Sequence, residues 1–142
     1  MVNKAAVGDE AKSNILYNER ADFERVVSVN LTDVFLRTKH SAQALIPSRR
    51  GSIINVGSFS SGVGWVASLA YTSSKYDIME LKRSVATELG HGVRVNSLQK
   101  RHLTEAALFL GSYKSKYISG HNLAVDGGFT TINTTFGLCA RA

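Results

Sequence analysis

Tyr71 and Lys75 stand four residues apart in the stretch "YTSSKYDIMELKRSVATELG" (71–90). On a helix that spacing places both side chains on one face. A free tyrosine has a pKa near ~10 and is a poor base at neutral pH. An ammonium close by favours the phenolate and lowers that value. A tyrosine tuned this way takes a proton from an alcohol or gives one to a carbonyl oxygen. Ser58 precedes Tyr71 by thirteen residues and follows a short β-branched run. Its hydroxyl can donate a hydrogen bond to a developing alkoxide. Asn30 offers a further polar contact from an earlier segment.

Each of these residues also has a structural reading. A Tyr–Lys pair at this spacing is common on solvated helix faces. Ser58 can be a strand-end or capping residue, and Ser60, Ser61, Ser73 and Ser74 compete with it as loop or helix-start serines. Asn30 sits among apolar positions, where an amide costs free energy unless it is hydrogen-bonded. A packed structural asparagine explains it as well as a functional one. Trp65 either lines a pocket or anchors a loop. Asp126–Gly127–Gly128 is explained by a tight turn after a strand. His40, His91, His102 and His121 have neither the mutual spacing nor the acidic neighbours of a metal site, so no metal is expected.

The elements that must position these residues follow from periodicity. Residues 1–21 show no sustained period and read as a loop with a short turn near "NILYNE". Residues 22–45 read as a helix, with Phe23, Val26, Val27, Val34, Thr38, Ala42 and Leu45 on one face beside Asn30. Pro47 closes it. "GSIINVGS" (51–58) reads as a buried strand, and "FSSGVGWVASLA" (59–70) as a loop. A second helix spans 71–89 with Ile78, Leu81, Val85 and Leu89 inward, and Gly90 and Gly92 as its exit. "VRVNSL" (93–98) is a strand, 102–111 a shorter helix, 112–121 a turn region, and "NLAVDGG" (122–128) a third strand. This alternation predicts an α/β fold with a parallel sheet and helices on its faces.

At 142 residues the chain is long enough for one domain with its own core. Its formal charge of +6 argues by itself only for non-specific association with anions. The densest basic patches are Arg49–Arg50, Lys82–Arg83 and Lys100–Arg101–His102. No zinc-finger, RNA-binding or basic-zipper spacing accompanies them, so nucleic acid is not the expected partner. A lone cysteine, Cys139, excludes an intrachain disulfide. No apolar run is long enough to span a bilayer, so no membrane partner is expected, and a cytoplasmic location is.

Taken together, these segments resemble the short-chain dehydrogenases/reductases. "YTSSK" is similar to that family's Tyr-x-x-x-Lys motif, and Ser58 has the family's spacing to the tyrosine. "SVNLTDVF" resembles its asparagine-bearing helix and places the fourth catalytic position at Asn30. "NKAA" (3–6) resembles the segment that closes its fourth strand, "LGHGVRVNSL" the strand after its catalytic helix, and "KYISGHNLAVDGGF" its C-terminal segment. The wording is nearest to the plant group of secoisolariciresinol dehydrogenase-like and terpenoid alcohol dehydrogenases.

The resemblance implies NAD(P)-linked oxidation of a secondary alcohol or reduction of a ketone, with NAD preferred to NADP. Tyr71 would be the acid/base. Lys75 would lower its pKa and hold the nicotinamide ribose, Ser58 would polarise the substrate oxygen, and Asn30 would organise a relay water. Asn3 would join Tyr71 and Lys75 in contacting the cofactor. Trp65, Val66 and Leu69 would wall an apolar substrate pocket. The implied fold is a partial Rossmann-like three-layer domain over residues 1–142, its sheet made of the family's strands four to seven. The family's N-terminal dinucleotide-binding half has no counterpart, and neither has the lid segment expected after about residue 98. No Gly-x-x-x-Gly-x-Gly occurs in the chain, which implies impaired activity. An alternative is an inactive fragment or paralogue that oligomerises, with itself or a relative, through the long helices 22–45 and 71–89.

Overall fold

The computed structural model describes residues 1–61, 67–90, 92–100 and 104–126. Trp65, Val66, His91, His102, Gly127, Gly128 and Cys139 lie outside them.

Apolar alternation explains the sheet. Strand β1 (Val2–Asn3), β2 (Gly51–Val56), β3 (Val93–Lys100) and β4 (Asn122–Val125) form a four-stranded parallel sheet in the order β1-β2-β3-β4. Ile53 pairs with Val95 and Ile54 with Asn96. Neighbouring residues of a strand face opposite sides. Ile53 therefore joins Val93, Val95, Ala42 and Ala86 in one apolar cluster, and Ile54 joins Leu98 and Leu110 in another. A strand buried on both faces carries apolar side chains toward each, as Ile53 and Ile54 do; the buried polar positions between and beside them are bonded, the Ser52 hydroxyl donating to the Leu110 carbonyl and Asn55 Oδ1 accepting from Asn3. Each fully buried isoleucine or valine contributes about 1.5–3 kcal/mol.

The helices supply the outer layers. Helix α1 (Arg20–Val27) runs through a π turn (Ser28–Thr32) into α2 (Asp33–Leu45). With α3 (Leu69–Leu89), α2 covers the Ile53 face. Helix α4 (Thr104–Gly111) covers the Ile54 face. The result is the three-layer, parallel α/β arrangement expected, a partial Rossmann-like fold.

Two local expectations need correction. The segment 1–21 holds β1 as well as loop and a turn at Ile15–Tyr17. Two residues are too few to show a period, and β1 exists because Val2 and Asn3 pair with Ile54 and Asn55. On α3, Ile78 is buried, but Leu81, Val85 and Leu89 are only partly so. The innermost line is Ala70, Ser74, Lys75, Ile78, Lys82 and Ala86. Small side chains let the helix approach the sheet, and lysine stems bring aliphatic length with a polar tip that finds a carbonyl.

Candidate active site

The carboxyl ends of β2 and β3 and the first turns of α3 bring the chemistry-bearing residues together. Helix α3 starts at Leu69 because Ser68 caps it: the Ser68 hydroxyl accepts the Tyr71 N–H at 3.2 Å. Such a cap satisfies a donor the helix cannot pair internally. Ser68 itself hydrogen-bonds the Asp9 carboxylate. This pair sets where the helix begins, and so where Tyr71 stands. Sequence reasoning passed over Ser68; a serine three residues before Tyr71 at a loop-to-helix junction was the available signal.

Tyr71 is half-buried and Lys75 is 2% exposed. The Lys75 ammonium lies 5.6 Å from the centre of the Tyr71 ring. It donates to the Val56 carbonyl at 3.2 Å, which ties α3 to the last residue of β2. Burial pushes the Lys75 pKa below its ordinary value. One carbonyl uses one of three ammonium protons, leaving donors for hydroxyl groups of a ligand.

Ser58 follows two residues after β2. Its hydroxyl accepts from the Ser60 hydroxyl at 2.8 Å and from the Ser60 N–H at 3.2 Å. Its own proton stays free to donate to a third group. The competing serines thus separate: Ser60 orients Ser58, and Ser74 belongs to Asn30.

Asn30 is fully buried at the middle of the π turn. Its Oδ1 accepts the Val7 N–H and its Nδ2 donates to the Val7 carbonyl, both at 2.9 Å. Nδ2 also donates to the Ser74 hydroxyl at 3.1 Å, and that hydroxyl donates to the Tyr71 carbonyl at 2.8 Å. The widened turn and the two-sided grip on Val7 satisfy the amide. Asn30 therefore reaches the Tyr71 turn through Ser74, and among the described residues no hydrogen bond joins it to Lys75.

Asn3 stands apart from this group. Its Nδ2 donates to Asn55 Oδ1 at 2.8 Å and to Thr38 Oγ1 at 3.4 Å, and its Oδ1 has no partner among the described residues. The apolar wall expected from Trp65 and Val66 falls outside the described residues, and Leu69 is 46% exposed.

A parallel sheet with helices on both faces, and polar groups gathered beyond the carboxyl ends of its strands, defines a Rossmann-like α/β protein. The chain belongs to the short-chain dehydrogenase family, whose pattern matches residues 1–103; this is a family of NAD(P)-dependent oxidoreductases. It is 38% identical to secoisolariciresinol dehydrogenase of Forsythia intermedia over 172 residues, covering 94% of this chain and 62% of that protein. It is also 38% identical to the mitochondrial borneol dehydrogenase of Lavandula x intermedia over 162 residues, with the same coverage of each, 94% and 62%. Among solved structures, the fold is similar to the aldohexose dehydrogenase of Thermoplasma acidophilum, with a TM-score of 0.85 at 21% identity, over 93% of this chain and 68% of that one. The chain thus spans about three-fifths of the length of these plant relatives. An alignment of 172 positions to a chain of 142 also opens gaps within this chain. Among the described residues no helix is long and apolar enough to cross a membrane.

Proposed function

We propose that this chain carries the catalytic half of an NAD(P)-linked alcohol dehydrogenase or ketoreductase. The observation that carries the reading is the Lys75 ammonium, anchored on the end of β2 and 5.6 Å from the Tyr71 ring. An ammonium held beside the ring favours negative charge that develops on the phenol oxygen during proton transfer. Tyr71 gives its proton to a ketone oxygen or, as phenolate, takes that of an alcohol. Ser58 donates to the same oxygen, oriented by Ser60. Asn30 acts at one remove, by fixing Val7 and the turn that carries Tyr71.

A nicotinamide cofactor supplies the hydride chemistry when bound. The residues present fit one end of it. Lys75 has ammonium protons left for ribose hydroxyls and Tyr71 stands beside it, while Asn3, apart from them at the end of β1, offers only its Oδ1, which has no partner among the described residues. The pyrophosphate end finds no glycine-rich turn in these 142 residues. The chain as it stands therefore holds the cofactor weakly, and turnover is impaired because positioning is a large part of catalysis. The chain's reduced coverage of its relatives, and the gaps their alignment opens in it, support an incomplete domain over 1–142. The substrate class is a small apolar alcohol or ketone, in keeping with the names of the plant relatives.

The test is turnover of secondary alcohols by the purified chain with NAD and NADP, beside Tyr71→Phe. Turnover that disappears in the variant bears the reading out. Turnover equal in both sinks it.

A second reading is favoured by one feature. A mainly apolar groove of ≈ 320 Å³ lies between α2 and α3, lined by Phe35, Ala42, Ile46, Val85 and Leu89, with Lys39 and Glu88 among its polar residues. Phe35 is 45% and Ile46 50% exposed there. An inactive chain that docks on itself or on a full-length relative would bury these side chains. Sedimentation of the chain alone and mixed with such a relative separates the two readings: a monomer in both samples removes the second.

A further inference from the structure

The basic pair Arg49–Arg50 has no part in the chemistry above. In the folded chain it is joined by Arg94 and Lys116. A cleft of ≈ 270 Å³ opens where β2 and β3 begin, lined by these four cations and Tyr113, with no acidic side chain among the described residues of its walls. The ion pairs among the described residues run Lys12–Asp22, Arg20–Glu24, Arg25–Asp22 and Arg83–Glu80, so none of the four is neutralised by one of them. Four like charges around one cleft repel one another, and a bound anion relieves that repulsion.

Two of the cations, Arg94 and Lys116, are held in place by their neighbours, and Arg49 is held by its backbone. Arg94 Nη1 donates to the carbonyls of Leu110 at 3.0 Å and Ser115 at 2.9 Å, and to the Ser115 hydroxyl. Among the described residues its Nε and Nη2 make no hydrogen bond, so they remain available. Lys116 lies 4.8 Å from the centre of the Tyr113 ring. Arg49 has φ 49°, the one positive φ among described residues other than glycine. That backbone conformation is unfavourable for a bulky side chain. The turn enforces it: the Arg49 N–H donates to the Ile46 carbonyl at 3.1 Å, and the Ser48 hydroxyl donates to the Leu45 carbonyl at 2.9 Å with the Arg50 carbonyl also in reach at 3.2 Å.

We propose that this cleft binds a small ligand through a phosphate or pyrophosphate group. Planar guanidinium forks match pairs of phosphate oxygens, and three arginines converge here with a lysine as a point charge. Tyr113 is 74% exposed and offers a flat face beside the anion for the rest of the ligand. The site is separate from the candidate active site. It lies at the amino ends of the parallel strands, and a six-residue β2 separates it from Ser58 by about 20 Å.

The experiment is a calorimetric titration of the full chain with pyrophosphate at constant ionic strength, with backbone amide shifts by NMR to locate the anion. Saturable binding with a dissociation constant below about 1 mM is expected. Arg50→Gln with Lys116→Gln, both at exposed positions, should weaken it about tenfold or more, while Arg20→Gln on the remote α1 should not. No saturation below about 10 mM overturns the proposal. So does equal binding in all variants, or amide shifts that map away from residues 49–51, 94 and 113–116. Saturable binding of a duplex oligonucleotide with none of pyrophosphate also overturns it, in favour of a nucleic-acid surface. If the double variant does not fold, the wild-type amide map decides between site and no site.

Discussion

Lys75 and Lys82 lie two turns apart on α3, 2% and 0% exposed. Each ammonium donates to a main-chain carbonyl, Lys75 to Val56 at 3.2 Å and Lys82 to Gly120 at 2.7 Å. Burial lowers the pKa of both; at Lys82 the neighbouring Arg83 lowers it further while Glu80 opposes. In exposure and in the direction of the shift the two are alike. Their company differs. Lys75 stands beside Tyr71 at the end of the strand that leads to Ser58. Lys82 holds the turn before β4, together with Asn96, which donates to the Ile118 carbonyl at 2.7 Å and accepts the His121 N–H at 3.0 Å. Gly120, with φ 71°, lets that turn reverse so that its carbonyl meets the lysine. A perturbed buried lysine marks a candidate site only where reactive groups share its surroundings; otherwise it is a fastening.

Exchanging the two lysines for methionine is the sharpest way to break this contrast. Lys75→Met should cost any turnover the chain shows about 100-fold or more, whereas Lys82→Met should leave turnover per folded molecule within about twofold. Steady-state rates on matched folded fractions decide, and equal losses would end the distinction. Next in size is the structural side. Lys82→Ala empties a fully buried volume and strands the Gly120 carbonyl, and should destabilise the fold by about 2–4 kcal/mol in denaturant titration. Asn30→Ala orphans the Val7 main-chain groups and should cost about 1–3 kcal/mol by the same measurement; a neutral result would show that water replaces the amide.

A milder effect follows from pH. Both lysines have folded pKa values below the ordinary 10.5. Between the folded values and 10.5 the unfolded chain carries protons that the folded chain lacks, so stability rises with pH across that window and is level below it. Denaturant midpoints taken from neutral pH to pH 10.5 should climb in the wild type, and this rise should shrink in the Lys75→Met/Lys82→Met double variant. An unchanged climb would assign the titration to other groups. The smallest effect belongs to an exposed pair. Removing Arg20, whose partner Glu24 lies one turn on, should change stability by less than about 0.5 kcal/mol. A larger loss would mean that surface charge, as well as buried lysine, fastens this fold.

Much of this was readable from local pattern. The apolar period of 22–45 marked α1 and α2, and Pro47 their end. The β-branched run at 51–56 marked β2, and the four-residue spacing of Tyr71 and Lys75 placed them on one helix face. The inward line of α3 was not readable, because a hydrophobicity count ranks Lys82 and Ser74 as solvent-facing and Leu81 as core. Nor did any period mark β1, which is two residues long and owes its existence to Ile54 and Asn55, about fifty positions away; only the resemblance of "NKAA" to the end of the family's fourth strand pointed to it. The same distance in sequence hid the link from Asn30 through Ser74 to Tyr71, and the bond from Asp9 to Ser68.

The sequence by itself determined the alternation of elements, the family, and the side chains that could move a proton, since these depend on residue type and short spacing. Tertiary structure alone decided which serine attends Asn30, which carbonyls receive the buried lysines, and where Arg49, Arg50, Arg94 and Lys116 meet. Those are contacts between segments far apart in the chain. Their partners are chosen by how the sheet's register and the helix packing fold distant residues against one another, which no local spacing encodes.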